Sequence, residues 1–132
     1  MTDRDLCFTP ATELARLFRA RKASPLEVMQ AVLARIDAVN PAVNAYVTVA
    51  REQALQAARR ATAALKKTGA PLPPLHGVPV SINDLTPTRG IRTTWGSKIY
   101  EPHVPTEDAL IVQRLKAAGA IATRTTLPGT TI

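Results

Sequence analysis

Residues 75–85 read Leu-His-Gly-Val-Pro-Val-Ser-Ile-Asn-Asp-Leu, and the fold turns on how this stretch is read. Val78 to Ile82 is a short, mostly apolar run, opened by His-Gly and closed by the polar pair Asn83-Asp84, which is the pattern of a strand. Pro79 lies early enough to be tolerated at a strand start or an edge. Downstream, Thr106 is placed to cap a helix over Glu107–Ala118, with Glu107 and Asp108 at its positive end and Lys116 near its negative end. Leu110, Ile111 and Leu115 form its expected buried stripe, and Gly119 ends it. Ile121 to Thr123 then opens a second strand. Strand, crossover helix and strand make a βαβ unit, expected to be parallel and right-handed. Between the two, Gly90 with Ile91 and Arg92 predicts a turn into another short strand, and 96–105 reads as loop.

Upstream of the strand the chain is helical. Thr9-Pro10 reads as a helix opening, with an N-cap hydroxyl before proline at the first helical position. Leu14, Leu17 and Phe18 then share one face, to about Arg21. Ser24-Pro25-Leu26-Glu27 is a capping box with proline inside it, and Met29, Val32, Leu33 and Ile36 follow at helical spacing. Asn40-Pro41 is the expected stop. Asn44 to Val49 reads as a short extended segment. An alanine-rich helix from Arg51 to Lys67, striped by Leu55, Ala58, Thr62 and Leu65, ends at Gly69. Pro71, Pro73 and Pro74 form a stiff connector. The fold class is therefore α/β. We expect one domain over 1–132, with a helical lead-in over 1–70 and the strand-helix-strand portion over 71–132.

The global numbers fit this reading. The chain has 132 residues, 45% of them hydrophobic and 20% charged, which is ordinary for a globular domain and argues against disorder. Aromatic residues are only 4%, so aliphatic side chains must build the core. The net charge is +7, and most of the excess falls on the helices, at Arg16, Arg19, Arg21, Lys22, Arg59, Arg60, Lys66 and Lys67. Such an excess attracts polyanions. No aromatic residues interleave the charges as a base-stacking surface requires, which weighs against a nucleic-acid partner. A solvated basic face is the plainer reading. The single cysteine, Cys7, cannot form an internal disulfide, which fits a reducing compartment. It reads as a small packed side chain or an inert thiol rather than a nucleophile. The mixed first 20 residues predict no signal peptide. No apolar run approaches the ~20 residues that span a membrane. A cytoplasmic location is the expectation.

The order of segments resembles the amidase signature family. The resemblance runs through Leu-Ala-Arg-Ile-Asp-Ala-Val-Asn-Pro (33–41), Asn-Ala-Tyr-Val (44–47) and Pro-Leu-His-Gly-Val-Pro-Val-Ser-Ile (74–82). It continues through Gly-Ile-Arg-Thr-Thr-Trp-Gly-Ser (90–97) and Leu-Lys-Ala-Ala-Gly-Ala-Ile (115–121). It implies an α/β fold with a large mixed sheet wrapped by helices, and hydrolysis or transfer of amide nitrogen without a cofactor. In that family the strand reads Gly-Val-Pro-Val-Ser-Ile-Lys-Asp, and the lysine is the catalytic base. Here Asn83 takes its place. A lysine serves as base when burial lowers its pKa; a carboxamide cannot take up a proton near neutral pH. Lys98, in the following loop, is a poor substitute.

The family's serine-rich signature is expected after residue 132. Its Gly-Lys-Thr-Asn-Met-Pro-Glu-Phe pattern is also altered, with asparagine, glutamate and phenylalanine lost at Thr126, Gly129 and Thr130. The leading expectation is a catalytically incompetent N-terminal portion of such an enzyme. Its exposed strand edges and helix faces would drive homo-oligomerisation, as a two-fold dimer. A second reading is one chain of a split amidase or amidotransferase completed by a serine-bearing partner. A third is a basic polyanion-binding module. Ser97, after Gly96 as in the family, is a candidate substrate-binding hydroxyl, against a loop-stabilising one. Asp84 reads as an Asx turn ending the strand before it reads as a catalytic carboxylate. His76 looks structural, and His103 has no partner at metal-ligand spacing, so no metal site is expected.

Overall fold

The computed structural model describes residues 1–67, 69 and 71–124. Among these residues, five helices and a two-stranded parallel sheet follow in the order α1 Asp3–Phe8, α2 Ala11–Arg19, α3 Pro25–Val43, α4 Arg51–Ala64, β1 Pro79–Ile82, α5 Leu110–Ala117 and β2 Ile121–Arg124, with a 3₁₀ turn at Lys98–Tyr100. The βαβ unit is present. β1 pairs in parallel with β2, in a register that sets Pro79 against Ile121 and Ile82 against Arg124. Pro79 is the first residue of its strand, where its missing N–H costs least. Gly119 closes α5 in the left-handed region at φ 91°. A Cβ there would come within 2.7 Å of Pro73 and 2.9 Å of the His76 backbone. The close approach is used: Leu75 and Gly77 donate their N–H groups to the carbonyls of Ala118 and Gly119, seating the proline-rich connector on the end of α5.

Helix α3 is the central element. Ser24 and Glu27 form the expected capping box, with Pro25 inside it. Its buried residues fall on two sides. Val28 and Ala31 pack with Leu6, Leu14, Ala15 and Phe18 of α1 and α2 and with Val78. Met29, Leu33 and Ile36 pack with Ala54 and Ala58 of α4 and with Ile121 of β2. Small alanines on α4 let the two helix backbones approach. Phe18 is the one aromatic residue among the buried apolar side chains, so the core is aliphatic as the composition requires.

Several local expectations are corrected. An additional helix, α1, precedes the expected first one, built on a Thr2–Asp5 capping box. Thr9 ends that helix rather than opening the next, and α2 begins at Ala11 after Pro10. α3 runs through Pro41 to Val43, because a proline near a helix end forfeits a single hydrogen bond. The stop is Asn44, in the left-handed conformation at φ 48°. Asn44 to Val49 joins no sheet. α4 ends at Ala64, three residues short of Lys67, and its buried stripe is Ala54 and Ala58. The strand expected near Ile91 is an isolated antiparallel bridge to Thr88.

The largest correction concerns α5. It begins at Leu110 without a side-chain cap, and Thr106 does not cap it. Two of its three expected stripe residues are turned outward: Leu110 is 61% and Ile111 56% exposed, while Leu115 is half-buried and Val112 is fully buried. Asp108, expected to act on the helix dipole, accepts from the Arg89 N–H at 2.7 Å and pairs with Lys116 at 2.8 Å.

Candidate functional site

The carboxyl end of β1 is where a parallel sheet places its chemistry, and the chain turns there through Asn83, Asp84 and Leu85. Asn83 is half-buried. Its Oδ1 accepts from the Leu85 N–H at 3.1 Å, and its carbonyl accepts from the Thr86 N–H at 2.9 Å. The Asx turn that ends the strand therefore belongs to Asn83 and not to Asp84, which corrects the sequence reading. The turn needs only an acceptor oxygen two residues ahead of a backbone donor, which a carboxamide supplies.

Asp84 points the other way, into the protein. It is 3% exposed. Oδ1 accepts from the Thr94 N–H at 3.0 Å, Oδ2 from the Thr94 hydroxyl, and the Asp84 carbonyl from the Trp95 N–H. The Thr94 hydroxyl oxygen in turn accepts from the Gly96 N–H at 3.2 Å. A buried carboxylate thus clamps the 93–97 turn against the end of β1. The Trp95 indole N–H donates to the Leu85 carbonyl at 3.1 Å, and the ring stacks on His103, with Tyr100 edge-on to Trp95 at the same 5.1 Å centroid separation. Trp95 itself lies at φ 50°, a conformation costly for an aromatic residue and held here by these contacts.

The structure brings Asn83, Asp84, Thr94 and Trp95 together. Ser97 stands two residues further along; its N–H donates to the Thr94 carbonyl, and its hydroxyl accepts from the Ile99 N–H at 3.3 Å, opening the 3₁₀ turn. Lys98 is exposed. His76 sits at the opposite end of β1, its Nε2 2.9 Å from the Ala61 carbonyl, and so ties the connector to α4. His103 is engaged in the aromatic stack. Cys7 is half-buried against the first core cluster, and burial, partly offset by Arg35, raises its thiol pKa. The changes noted at 126, 129 and 130 lie outside the described residues. Among the described residues no group of three or more His, Cys, Asp or Glu side chains could hold a metal ion, and no helix is long and apolar enough to cross a membrane.

Sequence reasoning did not single out Thr94 or Trp95. Their partners lie ten residues away across a turn, and neither periodicity nor capping chemistry reports a pairing of that kind.

Helices packed on a parallel βαβ unit, with a polar turn leaving the carboxyl end of β1, define an α/β segment of the amidase type. Residues 27–130 match the family model described as Amidase, and the chain belongs to that family. It is 44% identical over 119 residues to a glutamyl-tRNA(Gln) amidotransferase subunit from Carboxydothermus hydrogenoformans, covering 90% of this chain and 24% of that protein. It is 40% identical over 121 residues to an acylamidase from Rhodococcus erythropolis, covering 92% and 25%. Among solved structures it superimposes on a chain described under "An unexpected vestigial protein complex reveals the evolutionary origins of an s-triazine catabolic enzyme", with a TM-score of 0.80 and 32% identity over 88% of this chain and 25% of that one. It also superimposes on a fatty acid amide hydrolase, with a TM-score of 0.87 over 97% of this chain and 23% of that one; at 24% identity this shows a shared fold. The chain spans about a quarter of the length of these relatives.

Proposed function

We propose that this chain forms the helical lead-in and first βαβ unit of an amide C–N hydrolase fold, and that it is itself unable to catalyse hydrolysis. The observation that carries this reading is Asn83. It leaves the carboxyl end of β1 at the position that the family resemblance gives to the lysine base, and its Oδ1 is occupied by the Leu85 N–H. A general base must accept the proton it removes; a carboxamide near neutral pH does not. Asp84 offers no replacement, since its carboxylate is buried and clamped by Thr94.

The same reading includes self-association into a homodimer. Among the described residues the sheet has two strands, and parallel sheets are normally covered on both faces; Leu110 and Ile111 add apolar surface beside it. The test pairs two measurements on the purified chain, release of amine from a simple anilide and light scattering during size-exclusion chromatography. No turnover together with a discrete dimer is expected. Measurable amide hydrolysis, or a stable monomer at high concentration, would overturn the corresponding half of the reading.

A second reading makes the chain one component of an amidotransferase or split amidase, completed by a serine-bearing polypeptide. The likeness to a protein named as one component of an amidotransferase favours it. Mixing the chain with such a polypeptide and measuring amide hydrolysis distinguishes the two, because the first reading predicts none while Asn83 is present.

A further inference from the structure

Two adjoining clefts open where α2 turns into α3 beside the carboxyl end of α4. One, of about 390 Å³, is lined by Arg19, Arg21 and Lys67 around Phe18 and Leu65. The other, of about 340 Å³, is lined by Arg21, Lys22 and Lys66 around Leu65. Arg21 borders both. The acidic side chain here, Glu27, is committed to its capping box, accepting from the Ser24 N–H and hydroxyl at 2.8 Å each. Among the described residues the salt bridges belong to Arg16, Arg51 and Lys116, and none involves these five cations.

Basic residues at helix carboxyl ends often do no more than balance the helix dipole. Here two helices end, each equivalent to roughly half a negative charge. With Glu27 counted as one more, the five cations still leave an excess of about three positive charges.

The backbone of Arg21 supplies a second, independent observation. α2 ends in a Schellman motif: Lys22 N–H donates to the Leu17 carbonyl at 2.9 Å, and Arg21 N–H to the Phe18 carbonyl at 3.0 Å. The residue between the helix cap and Lys22 must be left-handed, and it is Arg21, at φ 55°. α5 ends in the same motif, with Ala120 donating to Leu115 and Gly119 to Lys116, and there the left-handed residue is glycine. An arginine held where glycine is the unstrained choice is an outlier that the stability of α2 does not explain.

We propose that this double cleft binds a compact multivalent phosphate, the chemistry of an inorganic oligophosphate or the phosphate tail of a nucleotide, with Arg21 as its central ligand. A planar guanidinium on the residue that lines both clefts suits two neighbouring phosphoryl groups. The absence of aromatic residues among the cleft-lining side chains, Phe18 of the core apart, fits recognition of phosphate rather than of stacked bases.

The test is calorimetric titration of the whole chain with inorganic tripolyphosphate at about 50 mM salt, where screening is moderate. Saturable binding is expected for the natural chain. Arg21→Gly should weaken it on the order of tenfold, as loss of a charge-assisted contact implies, while raising the melting temperature by relieving the left-handed strain. The control Arg59→Ala/Arg60→Ala, on α4 and lining neither cleft, should weaken binding less than Arg21→Gly does, because these charges act on the site only through a partly screened field. Adenosine triphosphate binding as tightly as tripolyphosphate would identify the phosphate tail as the recognised part. The proposal is overturned if tripolyphosphate does not bind, if Arg21→Gly binds as well as the natural chain, or if the control loses as much affinity as Arg21→Gly. It is equally overturned if single-stranded RNA binds and tripolyphosphate does not.

Discussion

Thr94 satisfies both oxygens of the Asp84 carboxylate, giving its backbone N–H to one at 3.0 Å and its hydroxyl to the other. Both residues are buried, at 7% and 3% exposure. The pair joins segments that are ten residues apart and fixes the turn bearing Trp95 against the end of β1. Removing one partner strands the other in a poorly solvated place. Thr94→Val should cost about 2 kcal/mol, and Asp84→Ala about 3 kcal/mol because two buried donors lose their acceptor. The double variant should cost clearly less than the two together, since both remove the same contact. Urea unfolding of the three variants provides the check; strict additivity would show that the clamp is not a unit.

Asn83 gives a contrasting case, in which structure and chemistry separate. Asn83→Asp keeps an acceptor for the Leu85 N–H, and Asn83→Ala does not. The alanine variant should lose about 1 kcal/mol, the ordinary net value of one neutral hydrogen bond, while the aspartate variant stays near the natural stability. Thermal unfolding distinguishes them. Equal losses in both would mean that the half-buried site rejects a charge as strongly as it needs the turn.

These two neighbours show where the sequence is readable. The capping box at Ser24 and Glu27 is legible because donor, acceptor and spacing lie within four residues. The strand opened by Pro79 and the glycine stop at Gly119 are legible for the same reason. The Asp84–Thr94 clamp is not, because its geometry exists only after the 85–93 segment has folded back. Pro41 does not act as the stop expected of it: its missing N–H forfeits one hydrogen bond near the helix end, and the helix runs on to Val43 before Asn44 turns left-handed. The direction of α5 escapes the sequence for another reason. Periodicity locates an apolar stripe but does not say whether this chain covers it, and here Leu110 and Ile111 face outward while Val112 fills the core.

Asp108 supplies a pH signature. Burial alone would raise its carboxyl, but the Lys116 ammonium and the Arg89 N–H outweigh it, and the net shift is downward from 3.8. A carboxyl with a folded-state pKa below its unfolded value stabilises the protein above the unfolded value, and that stability is lost as pH falls through the folded one. Asp108→Asn should therefore be less stable than the natural chain at neutral pH, with the difference shrinking as the pH drops below about 4. Melting temperatures of both chains measured from neutral to acid pH would show the convergence. A difference independent of pH would assign the contribution to shape rather than charge.

The outward face of α5 yields the last prediction. An apolar pair on a short surface helix is tolerated singly, but Leu110 and Ile111 are adjacent, more than half exposed, and borne on the helix that crosses between β1 and β2. If the proposed homodimer buries this face, replacing both residues by lysine sets like charges against each other across the interface and removes the apolar area that drives association. Leu110→Lys/Ile111→Lys should then be a monomer by light scattering, with unchanged helical circular dichroism, because both side chains already point away from the core. A dimer that survives the double substitution would place the interface elsewhere, and the open edge of the β1–β2 pair would be the surface to alter next.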